Sequence, residues 1–161
     1  MIRGFDRAVL RVLRTRGHGL RAELAVAAYS SAGEHGVIWH SLAAAGFVVD
    51  GSRRPVYLRA VRAVLLAYAA NTLLKFAVRR ARPVLEELPA LAPTISGHSY
   101  PSAHSAMSFA AARVLSEALP APPLYAAAAA MALSRPYLGV HYPSDVLAGA
   151  GLGDAVARLT P

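Results

Sequence analysis

Three short stretches of the 161-residue chain place cationic and proton-transferring side chains where helices are expected to start or stop. In KFAVRRARP, Lys75 and Arg82 stand two helical turns apart. On a helix they would share a face, Cα atoms roughly 10 Å apart, and could converge on one anion. Pro83 disfavours helical geometry at Arg82, so the helix is predicted to end about there. Arg79 and Arg80 read as a basic flank that anchors a membrane helix at headgroups.

In SYPSAHS, Ser102 stands at an expected helix N-cap, so Ala103 and His104 would present free backbone N–H groups. Such a helix start attracts an anion, and the small side chain at 103 lets it approach. His104, in the first turn, is placed to pass a proton to a group on that anion. His98 has no comparable placement and reads as a loop residue.

In SRPYLGVHYPSD, Pro143 is expected at a first helical position, which puts Asp145 in the first turn and His141 just ahead of it. A carboxylate there can accept a hydrogen bond from one imidazole nitrogen and leave the other free as nucleophile or base. Arg135, closing the preceding helix, adds a planar fork suited to phosphate oxygens.

Helices must bring these stretches together. Hydrophobic segments are predicted at 36–50, 57–78, 103–119, 124–138 and 143–158, with one long Pro-, Gly- and Ser-rich connection over about 81–102. If the segments alternate in direction, the end of 57–78, the start of 103–119, the end of 124–138 and the start of 143–158 lie on one side, and those are the three polar stretches. Ahead of them, FDRAVLRVLRTR sets Phe5, Val9, Val12 and Leu13 against arginines and predicts an amphipathic helix on an anionic membrane surface. The expected architecture is all-α: a polytopic membrane bundle of about five spanning helices. It forms a single domain over 1–161, with 1–33 as the amphipathic N-terminal segment and 36–158 as the bundle.

Composition agrees with that plan. Apolar residues make up 55% of the chain and charged ones 16%, and the mean hydropathy is +0.38. Several segments are shorter than the roughly 20 residues of a usual span. Arg113, Glu117 and Asp154 fit only near segment ends or facing the bundle interior. The net charge of +8 suits anionic headgroups or a phosphorylated substrate. Nucleic acid is excluded as a partner, because no recognised module or exposed aromatic platform accompanies the arginines. The absence of cysteine excludes disulfides, thiolate metal sites and Cys nucleophiles. No cleavable secretory signal is evident in the arginine-studded start. Gly149 and Gly153 permit close helix packing, within the monomer or between chains of a homo-oligomer.

On these motifs the sequence resembles the type-2 phosphatidic acid phosphatase superfamily of lipid phosphatases. That signature is Lys, six residues, Arg-Pro; Pro-Ser-Gly-His; and Ser-Arg, five residues, His, three residues, Asp. Here it runs from Lys75 to Pro83, over Pro101 to His104, and from Ser134 and Arg135 to His141 and Asp145. Ala103 stands where the family usually has Gly, a change expected to matter little. The resemblance implies that Lys75, Arg82 and Arg135, with Ser102 and the amides near Ala103, hold phosphate. It implies that His141 attacks phosphorus, Asp145 orients it and His104 protonates the departing alkoxide, with no cofactor or metal.

The implied substrate is a lipid phosphate with its head at the interface of a bacterial plasma membrane: phosphatidic acid, phosphatidylglycerol phosphate or a polyprenyl phosphate. The small size and basic start are also similar to the decaprenylphosphoryl-5-phosphoribose phosphatase branch. A vanadate-dependent haloperoxidase would use a similar constellation, but such proteins are soluble and much longer. A non-enzymatic lipid-binding protein would not need His141 and Asp145 facing His104. The side of the membrane stays open. The six arginines of residues 1–33 favour a cytoplasmic site if that segment does not span, whereas Arg53, Arg54 and Arg59 pull the other way.

Overall fold

The computed structural model describes residues 2–161, with side chains from Gly4 onward. Among the described residues seven α-helices follow one another: α1 (Ile2–Thr15), α2 (Leu20–Ala32), α3 (Val37–Val49), α4 (Arg54–Val78), α5 (Ala103–Leu115), α6 (Ala121–Tyr137) and α7 (Pro143–Leu159). Among the described residues no strand forms, and the only pairing of that kind is an isolated bridge between Ala81 and His98.

The bundle is built around α5, which packs against α4, α6 and α7. Its Ala106, Ala110, Ala111 and Ala112 are fully buried, and their small size lets neighbouring backbones come close. The closest approach is to α7. A Cβ built on Gly149 would lie 2.4 Å from the Ser102 carbonyl oxygen, and one on Gly153 would lie 2.0 Å from that of Ala106. Of the two roles left open for this glycine pair, packing inside the monomer is the one the fold uses. Gly153→Ala should therefore cost about 1–3 kcal/mol, because a backbone carbonyl cannot step aside. Gly151→Ala, which meets nothing within 4 Å, is the control. Equal melting temperatures for the two variants in detergent would contradict this packing.

Large apolar side chains face outward instead. Leu58, Leu65, Leu66, Leu73 and Phe76 of α4, Val48 and Val49 of α3, Leu133 of α6 and Leu147 of α7 are all exposed. Small residues inside and leucines outside is the arrangement of helices that meet lipid rather than water. By length and composition one helical stretch among the described residues, Gly51–Val78, which is α4 with the short turn ahead of it, qualifies as a span by itself. α5 reaches only about 20 Å at 1.5 Å per residue, but its neighbours shield it, so it need not match the hydrocarbon thickness alone. The charges that looked awkward lie at the end opposite the three polar stretches. Arg59 pairs with Glu117, and Asp154 takes both Arg113 and Arg158.

The element boundaries depart from the sequence reading in several places, among them the start of α4, which opens at Arg54 rather than 57 with Pro55 in its first turn. The N-terminal segment read over 1–33 holds two helices, Ile2–Thr15 and Leu20–Ala32, divided by Gly17 at φ 71. The turn between them is tied by the His18 ring, which bonds the Leu13 carbonyl and the Glu23 carboxylate. α4 stops at Val78, four residues short of Arg82, because Arg79 turns left-handed at φ 51 and bonds its N–H to the Lys75 carbonyl. α5 ends at Leu115 rather than near 119, and α6 opens at Ala121, with Pro122 and Pro123 inside its first turn, where a missing N–H costs little.

α1 is also docked differently from expectation. Phe5 and Val12 face outward, and the buried stripe is Asp6, Leu10 and Arg14, spaced one turn apart. Arg14 donates to the Tyr137 and Pro89 carbonyls, so α1 with its arginines lies at the same end of the bundle as the close of α6.

Candidate active site

Helix alternation brings the three polar stretches to one end, around a cavity of about 190 Å³. Lys75 reaches it from the last turn of α4, Arg82 from the connection that follows, and Ala103 and His104 from the first turn of α5. Arg135 comes from the last turn of α6, and His141 from the loop ahead of α7. Tyr68, Asn71 and Phe76 of α4, Met107 of α5 and the stretch from Pro93 to Ser96 complete most of the wall.

Ser102 caps α5, with its side chain accepting from the Ser105 N–H at 3.4 Å. It is fully buried and does not line the cavity; Ala103 is the residue exposed there. The first-turn amides of Ala103 and His104 have no intrahelical acceptor and give the cavity floor a positive end. Three cations from three elements add to this. Because α4 ends early, Lys75 and Arg82 do not share a helix face. They meet across the cavity because Arg82 folds back, donating to the Ser96 and Val140 carbonyls at 2.7 Å each.

His141 is 2% exposed, and its Nε2 lies 3.3 Å from Arg82 Nη1. Burial pushes its imidazole down to about 4, against the opposite pull of Asp145, so the ring is neutral and its lone pair is available at neutral pH. Its Nδ1 is buried with no partner and sits 3.7 Å from Asp145 Oδ2, beyond hydrogen-bond length. The expected hydrogen bond is thus not formed. Asp145 instead accepts from Arg80 Nη1 at 2.7 Å and from the Tyr142 N–H at 2.9 Å.

His104 and Arg135 share a support that the sequence reading lacked. His104 Nε2 lies 3.1 Å from the Ser30 carbonyl oxygen and 3.8 Å from Glu34 Oε2, and Arg135 Nη1 donates to the Ser30 hydroxyl. A carbonyl acceptor at Nε2 favours a proton there and fixes the tautomer. Glu34 is the one carboxylate on the cavity wall among the described residues. Neither Ser30 nor Glu34 carried a sequence signal: Ser30 fell inside the N-terminal segment 1–33, and Glu34 fell between that segment and the bundle predicted from 36. Arg80 was read as a headgroup anchor, yet it is paired to both Asp6 and Asp145. Arg79 remains exposed, and His98 stays in the loop.

A cavity walled by three cations, floored by helix amides and flanked by two histidines on opposite elements is built to bind an anion and move a group on it. The comparisons agree. The PAP2 superfamily model matches residues 56–161, from the start of α4 to the end of the chain. The decaprenylphosphoryl-5-phosphoribose phosphatase of Mycolicibacterium smegmatis is 42% identical over 124 residues, covering 76% of this chain and 68% of that protein. Its namesake from Mycobacterium tuberculosis is 39% identical over 127 residues, covering 79% and 72%.

Among solved structures, Aquifex aeolicus LpxE superposes with a TM-score of 0.84 at 26% identity, covering 97% of this chain and 94% of that one. A Bacillus subtilis transmembrane PAP2-type phosphatidylglycerolphosphate phosphatase shares the fold, with a TM-score of 0.80 at 22% identity, covering 99% and 84%. The cavity cations and both histidines fall within the matched stretch, and the chain belongs to the PAP2 superfamily.

Proposed function

We propose that this membrane lipid phosphatase removes the terminal phosphate monoester of a polyprenyl-linked phosphosugar of the decaprenylphosphoryl-5-phosphoribose type. The reaction would pass through a phosphohistidine at His141. The observation that carries the mechanism is the cavity, where Lys75, Arg82 and Arg135 surround a space that His104 enters from the first turn of α5 and His141 from the loop ahead of α7.

His141 Nε2 attacks phosphorus as the bond to the leaving oxygen breaks, and His104, entering the step as an imidazolium beside the bound phosphate, keeps its Nε2–H on the Ser30 carbonyl and gives that oxygen the proton on Nδ1. Water, losing a proton to Nδ1 of His104, then attacks phosphorus as the P–N bond breaks, releasing inorganic phosphate and returning His141 to the neutral imidazole and His104 to the imidazolium. Phosphoryl transfer needs charge stabilisation and in-line positioning above all, and three fixed cations with helix amides supply both.

The substrate assignment draws on the two mycobacterial relatives and on Glu34. A carboxylate in a cationic wall repels phosphate but accepts hydrogen bonds from sugar hydroxyls. In this reading α3 to α7 form the spanning bundle, α1 lies at the interface on the site's end, and the lipid tail stays in the bilayer beside the outward leucines.

The test is phosphate release by the purified protein from polyprenyl phosphoribose 5-phosphate, phosphatidylglycerol phosphate and phosphatidic acid in mixed micelles, with and without EDTA. The first should show the highest kcat/KM, and EDTA should leave the rate unchanged. Preference for either glycerolipid would overturn the sugar assignment. An EDTA-sensitive rate restored by magnesium would overturn the metal-free mechanism.

A further inference from the structure

One buried group of charges lies outside the phosphate cavity and is not used by the steps above. Asp6, on α1, is 1% exposed. Its Oδ1 accepts from the Ser144 N–H at 3.0 Å, and its Oδ2 from the Ser144 hydroxyl at 2.5 Å and from Arg80 Nη2 at 2.7 Å. Arg80 turns its other nitrogen, Nη1, to Asp145 Oδ1 and to Ser144 Oγ, both at 2.7 Å. Its guanidinium also lies 4.1 Å from the centre of the Tyr142 ring. Asp6, Arg80 and Asp145 thus form an unbroken line from α1 to the carboxylate behind His141.

Burying a carboxylate costs several kcal/mol unless donors surround it. α1 meets that cost at Asp6 while leaving Phe5 and Val12 outside, so apolar burial alone does not explain its docking. Electrostatics gives the line a purpose. When His141 attacks phosphorus its ring gains positive charge, which Asp145 must offset. Arg80 on its own would cancel that carboxylate. With Asp6 on its far side, the three groups together keep one net negative charge facing the imidazole. Arg80 also holds Asp145 Oδ1, leaving Oδ2 to the Tyr142 N–H on the side of His141 Nδ1.

We infer that Asp6 and Arg80 are positioning residues of the phosphatase reaction: Asp6 shares and steers the charge of Arg80, and Arg80 holds Asp145 in place behind the nucleophile. The inference rests on the reading that His141 is that nucleophile.

The experiment uses the full chain in detergent micelles with polyprenyl phosphoribose 5-phosphate as the probe. It compares wild type, Asp6→Asn, Asp6→Glu, Arg80→Gln, the Asp6→Asn/Arg80→Gln pair and His141→Ala, each with a melting curve. Asp6→Asn and Arg80→Gln should each lower kcat by about 10- to 100-fold, the usual cost of removing a group that orients a reacting side chain. KM should move by no more than about threefold, because the cavity wall is untouched.

The double variant should be no worse than the worse single one, since both act through Asp145. Asp6→Glu, which keeps the charge, should recover part of the lost kcat. A helix that merely anchors the fold would lower the melting temperature and leave kcat per folded molecule unchanged, which overturns the proposal. So does additive loss in the double variant, or loss confined to KM. If Asp6→Asn lowers the melting temperature, Arg80→Gln, which leaves Asp6 both Ser144 donors, decides by the same kcat criterion. A wild type that releases no phosphate, or a His141→Ala variant that still does, fails the underlying reading and the proposal with it; that failure shows in the controls.

Discussion

His141→Ala should release phosphate at a rate lower by on the order of 10⁴-fold or more, the scale seen when a covalent nucleophile is removed. The structure leaves no substitute. His104, the other cavity imidazole, is held at Nε2 by the α2 end, and Asp145 is turned to Arg80 and Tyr142. The cavity cations would remain, so the variant should still bind the lipid phosphate with little change in affinity. Rapid acid-free quenching of wild type with labelled substrate should trap a phosphoryl group on the protein that is stable in alkali and labile in acid, and His141→Ala should show none. A trapped group that persists in the variant would move the nucleophile elsewhere.

His104→Ala should show a dependence on the leaving group. A general acid contributes about 10²- to 10⁴-fold when the departing oxygen is a poor leaving group. An alkoxide from a sugar or glycerol is one such, and its phosphate release should fall by about that range. A nitrophenolate departs without a proton, so p-nitrophenyl phosphate should lose far less in the first step. What remains of the loss then belongs to water attack, where His104 acts as base, and the phosphohistidine should accumulate. Equal losses on both substrates in the first step, read as the initial burst of released alcohol or nitrophenol, would mean that His104 binds phosphate rather than moves protons.

The cavity was largely legible beforehand because its chemistry sits at helix ends, and prolines and caps mark helix ends in sequence. Ser102 and Pro143 announce the starts of α5 and α7, and the types of Lys75, His104, Arg135, His141 and Asp145 say what those ends could do. Partner choice was not legible. Nothing in RRARP distinguishes the outward Arg79 from the inward Arg80; the difference arises because Arg79 adopts a left-handed turn that rotates the next residue towards α1. Asp6 lies among arginines on a helix whose apolar residues suggested the opposite face. Ser30 acts partly through its backbone carbonyl, a group every residue has, so only its position after folding makes it a partner of His104.

The tight seam between α5 and α7 has one more consequence. The Ser102 N–H bonds the Asp145 carbonyl at 2.9 Å, the Ser105 hydroxyl bonds that of Val146 at 2.7 Å, and two glycines seat one backbone on the other. His104 and the support of His141 are therefore mounted on a single rigid gauge, whose spacing is set by main chain rather than by side chains that selection can tune. Such a frame can change its customers without retooling its reaction. The corner around Glu34 and the stretch from Pro93 to Ser96 line the same cavity but take no part in that seam, so their side chains can change without moving the mounting of the two histidines.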